Sequence, residues 1–398
     1  MTQIADSSSK TADGSRSDRH PDTQGKIRSA GSRRSVFLLV IVAMLLTIGL
    51  GAMLSASSVV SIRANADQFE LFTKQVMWVG FGLGALVITS FVPYHVWRKF
   101  SLPIYLAAVV GLVVTLVVGD TRGGATRWIE IGPVTFQVAE FAKFATLSLL
   151  ASLLTKKDAL LRDIRHVLIP VGAILGTVSL LLLAQPDFGN ILLIVLPAFV
   201  MLAASTVPLR FVFSMAALGA ISMTALAMSA EYRKARLLGF LKPFENAQGS
   251  GLQAVQSMVA LGTGGLFGVG LGKSRARWSW LPNAHTDFIF AIIGEETGFA
   301  GAFIVITLFA LIAVVGVSIA YRAPDMYGRL LAIGIVAWLS IQALVNIGGV
   351  IAVLPITGVP LPFISSGGNA MLANLAAVGV LLNISRSSDR REAKQSTS

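Results

Sequence analysis

Long apolar runs separated by short polar breaks dominate this chain. A membrane-spanning helix needs about 20 mostly apolar residues, and ten runs qualify: 36–55, 75–92, 102–119, 137–155, 167–184, 189–206, 210–230, 287–321, 327–350 and 369–385. The eighth is too long for one perpendicular crossing, so its start is expected to lie at the interface or to bend. Residues 1–35 are rich in Ser, Asp, Arg, Lys and Gly and cannot bury enough apolar surface to offset ordering entropy, which predicts a disordered basic tail. The apolar run that follows is an anchor, since it lacks a short signal-peptide core with an A-x-A-like cleavage site. Residues 386–398 are a second polar tail, and 231–286 form one large polar loop. The expected fold is an all-α polytopic membrane protein of about ten transmembrane helices, a single domain over 36–385.

Composition agrees with that pattern. Of 398 residues, 54% are hydrophobic and 13% charged, with mean hydropathy +0.74, whereas a soluble globular chain carries roughly 25% charged residues. A soluble multidomain enzyme is thereby excluded. There is no Cys, so disulfides, thiolate catalysis and Cys-based metal sites are excluded too. His20, His95, His166 and His285 lie far apart, without the spacing of a metal site.

The net charge of +12 points to topology and anionic lipid headgroups rather than nucleic acid. With ten spans both termini share a side. That side collects 20 Lys and Arg, the other 11, with Lys143 inside a helix. This bias predicts that both termini are cytoplasmic. Seven of the eleven lie in the 231–286 loop. Two further outer loops, 120–136 around a lone Trp128 and the Pro/Gly-punctuated 351–368, are expected to line a cavity or pack within the protein. No internal repeat supports an inverted-repeat transporter.

Several clusters could carry chemistry. In LPNAHTDFIFAIIGEETGF (281–299), Pro282 and Asn283 break the chain, Thr286 or Asp287 can cap, and an apolar helix follows. Asp287 is thus expected at the outer mouth of the eighth helix, where a plain helix cap is its commonest job. Glu295 and Glu296 fall two turns deeper, and acids inside an apolar segment are functional-site candidates by default. Glu140 and Lys143, three apart on one helix face, suit an ion pair that braces the bundle. Asp187 in AQPDFG stands at an outer turn, where turn formation is the alternative to a binding role.

In the long loop, YRKAR (232–236), Lys242, Lys273, Arg275 and Arg277 concentrate cations beside the membrane. Such cations can hold anionic headgroups or an external pyrophosphate. The Gly-rich run 262–274 matches neither the Walker A nor the dinucleotide template, and nucleotide binding is rejected.

Six blocks in order resemble the SEDS family (shape, elongation, division, sporulation), the FtsW and RodA cell-wall glycosyltransferases. They are GATRWIEIG (124–132), FQVAEFAK (136–143), AQPDFG (184–189), QSMVALGTGGLFGVGLG (256–272), LPNAHTDFIFAIIGEE (281–296) and GVPLPFISSGG (358–368). The basic tail and the Phe of QPDFG resemble the division branch. Ser366, Asn369 and Thr297 depart from the usual Tyr, Ser and Leu.

The resemblance implies polymerisation of lipid II at the outer face of the cytoplasmic (inner) membrane, at the division septum, with release of undecaprenyl pyrophosphate. It makes Asp287 the essential acid. Arg236 best matches a family position. Lys242, Lys273, Arg275, Arg277, Trp128, Asp187, His285 and Ser365 join it as substrate-binding candidates. Pyrophosphate leaves without being protonated, so one base suffices. Asp287 and Glu295 are about 12 Å apart in helical rise, beyond the roughly 6.5–9.5 Å of an inverting hydrolase pair. A divalent cation (Mg or Mn) could share the charge, although the sequence shows no dedicated cage. The implied partners are a class B penicillin-binding transpeptidase (FtsI-like), other divisome membrane proteins and membrane lipids. A lipid II flippase is the competing reading, using Glu140, Lys143, Glu295 and Glu296 as a polar path, and a division scaffold is the third.

Overall fold

The computed structural model describes residues 23–63, 69–122, 125–132, 134–156, 164–228, 251–275 and 286–395, with isolated positions between 240 and 249. Its helices are α1 (Thr23–Arg63), α2 (Glu70–Phe91), α3 (Tyr94–Lys99), α4 (Ser101–Val118), α5 (Val138–Lys156), α6 (Ile164–Ala184), α7 (Phe188–Ala203), α8 (Leu209–Met228), α9 (Leu252–Gly264), α10 (Ile289–Tyr321), α11 (Met326–Val350) and α12 (Gly368–Gln395). Each of the ten apolar runs lies on one of these helices. Seven are long and apolar enough to cross a membrane, and α6, α7 and α8 contribute shorter apolar stretches.

Burial sorts them into centre and rim. In α5, α11 and α12, 72%, 83% and 83% of the apolar stretch is buried, against 22% in α2 and α4. The outer helices point side chains such as Phe81, Ile88, Val110 and Val117 away from the protein. A soluble protein does not tolerate so much contiguous apolar surface; hydrocarbon does.

Three features add detail to that pattern. Helix α1 reaches back to Thr23, into the tail expected to be disordered over 1–35. Once the apolar stretch is seated, adding further helical residues is cheap, and Pro21 is the last proline before it. Likewise α12 runs on to Gln395 through the polar 386–398 tail, because SRSSDRREAKQ contains several good helix formers. Finally, the helical membrane fold expected from the chain carries one small sheet in an outer loop. Residues 120–136 build an antiparallel sheet, β1 (Asp120–Arg122), β2 (Ala125–Ile131) and β3 (Val134–Phe136), in the order β1-β2-β3. The β-branched and aromatic residues of TRWIEI favour strand over helix.

The eighth apolar run does bend. Within α10, Gly298 has φ 70° and ψ −166°, outside the helical region. In an uninterrupted helix Phe299 N–H would bond Glu295 C=O and Ala300 N–H would bond Glu296 C=O. Instead, Phe299 N–H donates to Gly265 C=O (2.9 Å) and Ala300 N–H to Leu266 C=O (3.2 Å). The freed carbonyls accept from Val269 N–H (3.0 Å) and Gly270 N–H (3.1 Å). The Gly-rich run is therefore a wedge opening two rungs of the helix and satisfying both halves of each, as apolar surroundings demand. A Cβ on Gly264 would stand 2.1 Å from Gly294 O, so only glycine permits this approach.

Candidate active site

Asp287 sits half-buried one residue before the N-cap position of α10, which falls on Phe288. Phe288 makes no side-chain cap. Two other elements fix Asp287 from behind. Asn346 of α11 donates through Nδ2 to Asp287 O and to Val359 O, both at 2.8 Å. Gly358 brings the 351–367 loop so close that a Cβ there would lie 3.5 Å from Asp287 Oδ2. Asp287, Asn346, Thr357, Gly358 and Val359 line a narrow cleft.

That loop is held from beneath by polar side chains on one face of α11. Trp338 Nε1 donates to Gln342 Oε1 (2.9 Å), and Gln342 Nε2 donates to Pro360 O (2.8 Å). With Asn346 these residues recur every four positions, one polar stripe on an otherwise apolar span. Sequence reasoning missed it. The signal was present in WLSIQALVN, since Gln and Asn inside an apolar run need partners. Below the stripe, Lys143 Nζ lies 2.8 Å from Glu140 Oε2, with both side chains at most 2% exposed. The angles depart from those of a hydrogen bond, so the contact is an ion pair, and the ammonium lies 5.1 Å from the centre of the Trp338 ring.

Glu295 and Glu296 are brought to the basic loop. Ser274 Oγ donates to Glu295 Oε2 (2.5 Å) and Arg275 N–H to Glu295 Oε1 (3.0 Å). Glu296 Oε1 accepts from Ser55 Oγ of α1 (2.5 Å) and more weakly from Ser274 N–H (3.4 Å). Lys273 and Arg275 themselves are exposed. Glu295 lies eight residues beyond Asp287, about 12 Å along the helix. The two groups stand 20 to 22 positions apart in the sequence, and nothing local in it linked them.

Other candidates lie in the turns and loops around it, and Gly189, two residues past Asp187, packs against Thr357 and Val359 of the cleft. Asp187 is buried and caps α7, taking Asn190 N–H (3.4 Å) and Asn190 Nδ2 (2.8 Å). Arg127 of β2 approaches it at 3.9 Å and donates to Pro186 O. The carboxylate thereby satisfies a free amide at the helix start and meets the sheet through Arg127. Ser365 is also turned inward. Its Oγ accepts from Leu361 N–H (2.8 Å), and its carbonyl accepts from Gln75. Lys242 pairs with Glu245 at 3.0 Å in solvent. Trp128 is half-buried on β2 opposite Asp120. Arg236, Arg277 and His285 lie outside the described residues. Among the described residues no three His, Asp or Glu side chains converge as a metal cage, so no step is assigned to a resident cation.

The comparisons agree with one another. A family model described as "Cell cycle protein", FTSW_RODA_SPOVE, matches residues 36–390. Stage V sporulation protein E of Bacillus subtilis is 38% identical over 353 residues, 88% of this chain and 96% of that protein. A probable peptidoglycan glycosyltransferase FtsW of Coxiella burnetii is 38% identical over 87% of this chain and 95% of its own. Among solved structures, a peptidoglycan synthase complex coordinating polymerization and crosslinking contains a chain that superposes with TM-score 0.72 at 28% identity. The match covers 88% of this chain and 97% of that one. Rod shape determining protein RodA of Thermus thermophilus follows at TM-score 0.64 and 27% identity, covering 88% and 95%.

Proposed function

Since the chain belongs to the FtsW, RodA and SpoVE family of cell cycle proteins, we propose that it polymerises lipid II into glycan strands at the outer face of the cytoplasmic membrane during cell division. It is a multi-pass membrane enzyme, a peptidoglycan glycosyltransferase. Both termini are cytoplasmic in this reading, which the charge bias supports. A class B penicillin-binding transpeptidase is the partner, supported by the likeness to a chain of a polymerising and crosslinking complex.

The observation that carries the mechanism is the fixing of Asp287 at the mouth of α10 by Asn346 and the Gly358 turn. The Asp287 carboxylate takes the proton of the acceptor sugar hydroxyl. That oxygen forms a bond to the anomeric carbon of the lipid-linked donor as the bond to pyrophosphate breaks, and the electron pair leaves with undecaprenyl pyrophosphate. Lys273 and Arg275 stabilise its charge. No second acid is needed, because pyrophosphate leaves unprotonated.

Asp287→Asn keeps the shape and removes the base. With lipid II and the partner transpeptidase in liposomes, polymerisation is expected to fall about 10²–10⁴-fold while melting temperature and partner co-purification hold. A folded, partner-bound variant that polymerises at near wild-type rate refutes the assignment. Retained lipid II translocation with no polymerisation would separate a flippase activity from the polymerase.

A further inference from the structure

We propose that Glu295, acting through Ser274, is a positioning residue that aims Lys273 and Arg275 at the pyrophosphate of the donor; this rests on the polymerase reading above. Three observations carry it.

The first is alternation. Lys273 and Arg275 are exposed while Ser274 between them is 1% exposed. Ser274 is thus the one inward-facing residue between two outward-facing cations.

The second is the hold itself. One carboxylate accepts from two consecutive residues, the Ser274 hydroxyl and the Arg275 amide. Bonds to an ionised acceptor are short and strong, and two of them fix direction as well as position. Glu296 adds the Ser274 amide and ties the assembly to Ser55 on α1.

The third is rigidity upstream. The wedge at Gly265–Gly270 is bonded into the kink of α10 by four backbone hydrogen bonds. The chain thus reaches Lys273 from an anchored segment, and the Ser274 hook sets the final orientation. A carboxylate two turns inside an apolar helix is costly, and this site gives the cost a function: the helix that carries the base at Asp287 also carries the group that orients the loop cations.

The test is a double-mutant cycle between Ser274→Ala and Glu295→Gln in the full-length protein with its transpeptidase. It is read by lipid II polymerisation kinetics and by hydrogen exchange at the Ser274 and Arg275 amides. Each single variant is expected to speed that exchange and to lower kcat/KM about tenfold, mostly through KM, as for one bond to a charged group. The double variant is expected to be no worse than the weaker single one, because both remove the same bond. Ser274→Thr, which keeps the hydroxyl, is expected to restore KM. Should Glu295→Gln not fold, Ser274→Ala carries the test from the loop side. Faster exchange with wild-type KM in Ser274→Ala, or additive effects in the cycle, overturns the positioning role and leaves the polymerase reading intact. Wild-type kcat/KM in a Lys273→Gln, Arg275→Gln variant instead overturns the assignment of those cations, and the positioning role with it.

Discussion

Replacing Lys143 by Met isolates the energetics of the bundle centre. The Lys143 side chain is fully buried, its ammonium 2.8 Å from Glu140 Oε2 and over the Trp338 ring. Met keeps most of the volume and removes the charge, leaving the Glu140 carboxylate buried without its cation. Breaking a buried pair from one side costs about 3–5 kcal/mol, and the lost ring contact adds about 0.5–2 kcal/mol. Together these are a large fraction of the ~5–15 kcal/mol that typically separates folded from unfolded protein. The double variant Lys143→Met, Glu140→Gln removes both charges and is expected to recover at least half of the loss. Thermal unfolding in detergent, followed by tryptophan emission, reads both variants directly. A single variant that is fully stable yet inactive would move the pair from bracing into the chemistry. A double variant no more stable than the single one would show that uncompensated charge is not the source of the cost.

Two further outcomes follow from the geometry. Gly298→Ala would place a Cβ 2.4 Å from Gly268 N and 2.5 Å from Leu266 C, at φ 70°. Strain and overpacking of about 1–3 kcal/mol each should lower the melting temperature and expose the Val269 and Gly270 amides to exchange; unchanged stability would contradict the wedge. Reporters fused after Ser398 and within 244–250 are expected to show cytoplasmic and external behaviour respectively, and opposite signals at both sites would reverse the topology.

The α10 segment shows where local reading succeeds and where it stops. Its length exceeded one perpendicular crossing, which is a property of the run itself, and the bend at Gly298 follows. The wedge that fills the bend comes from Gly265–Gly270, and pairing between segments separated in sequence has no local signature. Asp187 and Ser365, by contrast, bond to near neighbours in sequence, Asn190 three residues on and Leu361 four residues back.

By itself the sequence determined the membrane class, the ten apolar helices, the pairing potential of Glu140 with Lys143 and the block pattern of the family. Each follows from hydrophobicity, helical period or order along the chain, which are one-dimensional properties. Tertiary structure decided that Asn346 and Gly358 fix Asp287, that Glu295 and Glu296 grip Ser274 and Arg275, and that residues 120–136 fold as a sheet docked by Arg127. Buried polar atoms must find partners wherever packing supplies them, and which partner arrives is set by how distant helices and loops come together in space.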